Sequence, residues 1–96
     1  MSIELVKFQV YGKVQGVFFR KYTQAEAQKL GVTGWCENTE DGEGVMGEIE
    51  GDRGAIFQMR NWLAKKGSPK SKIQKIEFSQ EGNLEKRKYA GFEIRK

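Results

Sequence analysis

Histidine is absent from this 96-residue chain, and cysteine and proline occur once each. Without imidazole there is no histidine general base, no histidine nucleophile and none of the commonest zinc ligand. Any chemistry must therefore run on arginine, lysine, asparagine, carboxylates or the backbone. The lone Cys36 cannot close an internal disulfide, which suits a reducing compartment. No apolar run approaches the ~20 residues that cross a bilayer. The opening MSIELVKFQV alternates in polarity and lacks a signal peptide's apolar stretch and cleavage site. A cytoplasmic address is the expectation. The length suits one domain spanning residues 1–96.

Hydrophobic residues make up 38% and charged residues 31%, an ordinary balance for a folded globular chain. Seventeen Lys and Arg against 13 Asp and Glu leave a net charge of +4, with a pI near 9.3. That sign suits nucleic acid, an acidic membrane surface or a small anionic substrate, and does not choose among them. The only basic run, Lys86-Arg87-Lys88, reads as a solvated turn or strand edge.

Val6, Phe8 and Val10 alternate with Lys7, Gln9 and Tyr11, the period of a half-buried strand. From Phe19 the period becomes helical, with Phe19, Tyr22, Ala27 and Leu30 on one face and Gly31 at the expected C-cap. Residues 32–39 read as a second strand around Trp35. Glu40-Asp41-Gly42-Glu43-Gly44 reads as a hairpin turn in which Asp41-Gly42 supplies left-handed positions. Val45, Gly47 and Ile49 mark one face of a third strand ending at Gly51. A second helix over 54–66 carries Ile56, Met59 and Leu63 at core spacing, with Trp62 beside them, and Gly67-Ser68-Pro69 stops it. Ile73, Ile76 and Phe78 mark a fourth strand; a polar stretch through Glu81-Gly82-Asn83 leads to a last short strand holding Phe92 and Ile94.

The order βαββαβ with a short extra strand predicts an α+β, ferredoxin-like sandwich: an antiparallel sheet with two helices packed on one face and a solvated opposite face. This plan hosts many functions, so the fold alone does not choose one.

The informative stretch is the first strand-to-helix connection, Gly12-Lys13-Val14-Gln15-Gly16-Val17-Phe18-Phe19-Arg20. Two glycines four apart allow a tight loop whose N–H groups can converge, and the following helix adds its own free N–H groups and positive dipole end. It is neither a Walker loop nor a dinucleotide fingerprint, and such a loop can equally be a plain connector. Arg20 and Lys21 sit in the helix's first turn, where the dipole disfavours cations. No Ser, Thr, Asp or Asn stands among the four residues before Arg20 to cap the helix. A bound anion would complete such a start; solvent capping with Arg20 in water is the alternative.

The segment from Gly12 to Arg20 resembles the signature of the acylphosphatases, and Gly34-Trp35-Cys36-Glu37-Asn38-Thr39 resembles their second signature. The likeness continues through Ala27, Lys29, Gly31, Val32, Trp62-Leu63, Gly67-Ser68-Pro69 and Phe92-Glu93-Ile94-Arg95. It implies that Arg20 binds a phosphoryl group and that Asn38 orients the attacking water. The backbone N–H groups of Gln15, Gly16, Val17, Phe18 and Phe19 would hold the phosphate oxygens. Asn38 by itself also reads as a turn-stabilising residue. Cys36 stands where valine is common and reads as a small buried apolar residue. Gly51-Asp52-Arg53-Gly54 replaces a frequent Gly-Pro and touches only the start of the second helix.

The resemblance implies hydrolysis of the carboxyl-phosphate bond of acyl phosphates, with no cofactor and no metal. A carboxylate leaving group departs without a proton, and positioning with electrostatic stabilisation carries phosphoryl transfer. Small-molecule acyl phosphates are the implied substrates, inorganic phosphate or sulfate the competing anions, and phosphoaspartyl ion pumps a suggested further target. A monomer is expected. A non-catalytic phosphate-binding domain of the same family is the alternative. An RNA-binding module shares the strand order, but Met46, Glu48 and Glu50 on the third strand's outer face offer no ring for base stacking, and no nucleic-acid partner is expected. Asp41 and Glu43 lack the ligand count of a calcium loop.

Overall fold

A computed structural model describes residues 3–15, 18–67 and 71–95. Gly16, Val17, Ser68 and Pro69, all of which entered the sequence reading, lie outside the described residues. The elements run β1 (Ile3–Lys13), α1 (Phe19–Leu30), β2 (Thr33–Asn38), β3 (Gly44–Gly51), α2 (Arg53–Lys65), β4 (Lys72–Leu84) and β5 (Phe92–Ile94). The alternation in β1 is realised directly: Val6, Phe8 and Val10 are buried. They pair with Ile49, Gly47 and Val45 of β3, so both central strands present one apolar face. α1 and α2 cover it, joined by Phe19 and Trp62, whose ring centroids lie 5.9 Å apart. This is the expected ferredoxin-like α+β plan.

The strand order is β4-β1-β3-β2-β5. The β1–β3, β1–β4 and β2–β3 pairs are antiparallel, whereas β5 lies parallel to β2. The sheet is therefore mixed, not purely antiparallel as expected. The cause is the route of residues 85–91. They leave β4 at one edge, cross the open sheet face and return at the opposite edge, which forces β5 to run antiparallel to β4 and alongside β2. Glu81-Gly82-Asn83 belongs to β4 and is no connector. Leu5 pairs with Gly82 and Val6 with Gln80, leaving Glu81 as a bulge. Gly82 takes φ 116°, which an L side chain rarely adopts.

Two further expectations shift. Tyr22 is 46% exposed, and Thr23 takes its place on the core face. Thr23 can be buried because its hydroxyl donates to the Phe19 carbonyl at 2.8 Å. In the β2–β3 turn only Gly42 is left-handed, at φ 77°. Asp41 works through its carboxylate, which accepts from Thr39 Oγ1 at 2.6 Å and from the Glu43 N–H at 2.9 Å. Those two bonds hold its carboxyl below the usual value. Gly31 closes α1 in the left-handed region as expected, at φ 73°. α2 starts at Arg53, one residue before the expected start, because Asp52 is its N-cap and accepts from the Ala55 N–H at 2.9 Å.

The outer face of the sheet is not simply solvated. Residues 85–91 cover part of it, and Glu50 beneath them is fully buried. The Glu50 carboxylate accepts from the Lys88 N–H at 2.8 Å, the Tyr89 N–H at 2.9 Å and Thr33 Oγ1 at 2.6 Å. Glu48, 7% exposed, accepts from Tyr89 Oη and from Trp35 Nε1. Burial pushes the Glu48 carboxyl up, but those two bonds and the charges of Lys88 and Lys7 outweigh it and hold it below its ordinary value. Glu50→Ala is expected to cost about 2–3 kcal/mol of unfolding free energy, because it removes three bonds to a fully buried carboxylate and leaves two part-buried N–H groups and a hydroxyl without that partner. Urea denaturation of the variant beside the parent chain checks this, and a cost near zero would mean that the anchor does not hold the 85–91 segment. No helix among the described residues is long and apolar enough to cross a membrane.

Candidate active site

The site is built where β1 hands over to α1 and where β2 ends. At the end of β1, Gly12 takes φ 134°, and a Cβ there would lie 2.1 Å from the Lys72 carbonyl oxygen of β4. Only glycine permits that approach. Val14 follows, almost fully buried. The Gln15 side chain then ties the loop to the β2–β3 turn, its Nε2 donating to the Gly44 carbonyl at 2.8 Å and the Thr39 carbonyl at 3.4 Å.

Phe18 is the N-cap residue of α1. Its backbone is left-handed, at φ 57° and ψ 26°, and no side chain caps the helix. It is the one non-glycine residue with positive φ among those described, a conformation that costs about 1–2 kcal/mol. A left-handed residue beside a right-handed one is a backbone combination that can form an anion nest. The expected absence of a cap is thus realised. No acidic residue stands in the first turn of α1 to offset its dipole.

Arg20 is half-buried, and its Nη1 donates to the Arg95 carbonyl at 2.9 Å. That bond crosses 75 positions of sequence and fixes the guanidinium against the C-terminal strand. Asn38 closes β2 on the helix-covered face, opposite Val45. Its Oδ1 is buried and has no hydrogen-bond partner among the described residues. A cavity of about 490 Å³ brings these groups together: Arg20, Lys21 and Asn38 are its polar lining, and Val14, Phe18, Phe19 and Ile94 its apolar lining. Of the expected site residues, Phe18, Phe19, Arg20 and Asn38 therefore converge. Gln15 stands aside from the lining, and Gly16 and Val17 lie outside the described residues. No group of three His, Cys, Asp or Glu side chains is placed to hold a metal ion among the described residues.

Sequence reasoning missed the C-terminal contribution. The Arg95 carbonyl and Ile94 reach the site because β5 lies beside β2, and Gln24 Nε2 ties α1 to the Phe92 carbonyl at 2.8 Å. No local signal marks such contacts.

Cys36 lies on the same sheet face as Asn38 and is fully buried, matching its expected apolar role. Burial pushes its thiol up to about 12, against the smaller opposing pull of the Arg20 charge. A raised acid value means that the fold favours the neutral thiol below the unfolded value near 9 and loses that contribution as pH rises toward 12. Native protein at pH 8 is expected to react with an aromatic disulfide reagent at least tenfold slower than urea-unfolded protein. Equal rates would contradict the burial.

The chain matches the family model "Acylphosphatase" over residues 6–94. It is 51% identical over 89 residues to Acylphosphatase-1 of Xenopus laevis, covering 93% of this chain and 89% of that one. It is 45% identical over 94 residues to Acylphosphatase-2 of Homo sapiens, covering 98% and 94% respectively. The crystal structure of acylphosphatase from Bacillus subtilis superposes with a TM-score of 0.86 at 34% identity, over 97% of this chain and 99% of that one. A match of this extent, carried by the same βαββαβ plan, places the chain in the acylphosphatase family.

Proposed function

We propose that Arg20 and the backbone N–H groups of residues 15–19 hold the phosphoryl group of an acyl phosphate while Asn38 orients the water that attacks it. The enzyme hydrolyses acyl phosphates; what is proposed is the division of labour. The observation that carries it is the buried, unpartnered Asn38 Oδ1 lining the same cavity as Arg20. A buried carbonyl oxygen without a partner costs about 1–3 kcal/mol. A water donating to it recovers that cost and is held beside the site where the phosphoryl group binds.

Arginine offers five donors in a planar fork. The Arg95 carbonyl takes one through Nη1, which leaves the others free for phosphoryl oxygens and fixes the plane in which they point. The left-handed Phe18 adds converging N–H groups, and the uncapped helix start adds its dipole. In the reaction the water oxygen forms a bond to phosphorus as the bond from phosphorus to the acyl oxygen breaks. The carboxylate departs with that electron pair and needs no proton. The amide of Asn38 is no base, so the water's proton passes to a phosphoryl oxygen, and inorganic phosphate leaves.

We further propose a cytoplasmic monomer acting on small-molecule acyl phosphates. Inorganic phosphate or sulfate would compete for its cradle, and the phosphoaspartyl group of an ion pump would present the same bond on a protein. The buried free thiol of Cys36 suits a reducing compartment. Hydrolysis of benzoyl phosphate by the purified chain in chelator tests the reading. Turnover with competitive inhibition by inorganic phosphate is expected. A folded chain that binds phosphate without turnover would instead be a binding domain of the same family.

A further inference from the structure

The phosphoryl group has no use for hydrocarbon, yet two exposed apolar side chains stand on its cavity. Phe18 is 70% exposed and Ile94 is 36% exposed. Both line the cavity that holds Arg20 and Asn38, although they come from opposite ends of the chain. Core packing explains neither. Phe18 additionally occupies a backbone conformation disfavoured for an aromatic residue. The cavity's volume of about 490 Å³ falls within the range of about 300–1,000 Å³ of small-molecule clefts and is more than a phosphoryl group fills.

In-line displacement settles which part of the substrate remains for these side chains. The attacking water and the leaving carboxylate lie on opposite sides of phosphorus. With the water held at Asn38, the acyl group is directed away from it, toward the exposed mouth. We infer that Phe18 and Ile94 form an apolar wall for the acyl group, so that the enzyme prefers acyl phosphates with an aromatic or long aliphatic acyl group over those with a methyl or amino group. This rests on the proposed roles of Arg20 and Asn38. An aromatic ring stacks on Phe18 and contacts Ile94; an acetyl methyl reaches neither with comparable area.

The test is kcat/KM for benzoyl phosphate and for acetyl phosphate in the parent chain, Phe18→Ala, Phe18→Leu and Ile94→Ser. The readout is the benzoyl-to-acetyl ratio relative to the parent chain. The two substrates share the phosphoryl group, so any damage to the cradle cancels in this ratio. An enclosed pocket discriminates a methylene by tenfold or more, and an open wall by less. The ratio is therefore expected to fall about threefold to tenfold in Phe18→Ala and Ile94→Ser, and to recover in part in Phe18→Leu. An unchanged ratio in Phe18→Ala and Ile94→Ser overturns the wall, even where both rates drop together. A parent chain that hydrolyses neither substrate overturns the proposed catalytic reading, and the wall with it.

Discussion

Replacing Arg20 with glutamine is expected to lower kcat/KM for benzoyl phosphate by about 10³, close to 4 kcal/mol of transition-state stabilisation. Charge spreads over three phosphoryl oxygens as the acyl bond breaks. In the proposed division of labour Arg20 meets that charge: its Nη1 bonds the Arg95 carbonyl at 2.9 Å, and the side chain lines the cavity. Glutamine keeps a donor but loses the charge and the fork. KM should rise as kcat falls, since the ground-state phosphate carries charge too. Stability should move by only about 1 kcal/mol, the worth of the hydrogen bond to Arg95. Arg20→Lys keeps the charge and still loses planar bidentate contact, so it should recover only part of the rate. Steady-state kinetics beside a denaturation curve separates the two effects. A variant that retains turnover while losing several kcal/mol of stability would make Arg20 a structural residue.

Asn38→Ala should behave in the opposite sense on stability. The substitution removes a buried oxygen without a partner, so unfolding free energy should hold or rise by up to about 1 kcal/mol. Turnover should fall about 10²–10³, because the water loses its alignment. KM should change little, since the phosphoryl group keeps Arg20 and the loop amides. Lost turnover in an equally or more stable protein is the signature of a group held under strain for function. If Asn38→Ala instead raises KM at constant kcat, the asparagine binds phosphate and does not orient water.

Much of this architecture was legible in the sequence where a signal is local. The alternation of Val6, Phe8 and Val10 and the left-handed glycines Gly31 and Gly42 all appear where expected. So does the uncapped start of α1. Asp52 as the cap of α2 is an equally local signal, and it sets the helix start at Arg53, one residue before the expected Gly54. Thr23 displaced Tyr22 from the core because a hydroxyl that bonds the preceding turn is cheaper to bury than a phenol with no partner there. Hydropathy alone does not register that difference.

What could not be read depends on pairs far apart in the chain. Glu50 looks like a solvated strand residue until Lys88 and Tyr89 deliver their N–H groups to it from 38 and 39 positions away. The parallel β5 follows from the same crossing segment, and with it come the Arg95 carbonyl at Arg20 and Ile94 at the cavity mouth. The two expected polar site residues were legible through their resemblance to the family's motifs. The surfaces that position them were not, because they are assembled by topology.

The most direct test of the divided roles is the binding of inorganic phosphate, measured by calorimetry at low salt on the parent chain, Arg20→Gln and Asn38→Ala. Arg20→Gln should lose phosphate affinity by tenfold or more, while Asn38→Ala should bind phosphate within about twofold of the parent despite its lost turnover. Phosphate affinity lost in Asn38→Ala and retained in Arg20→Gln would contradict the account.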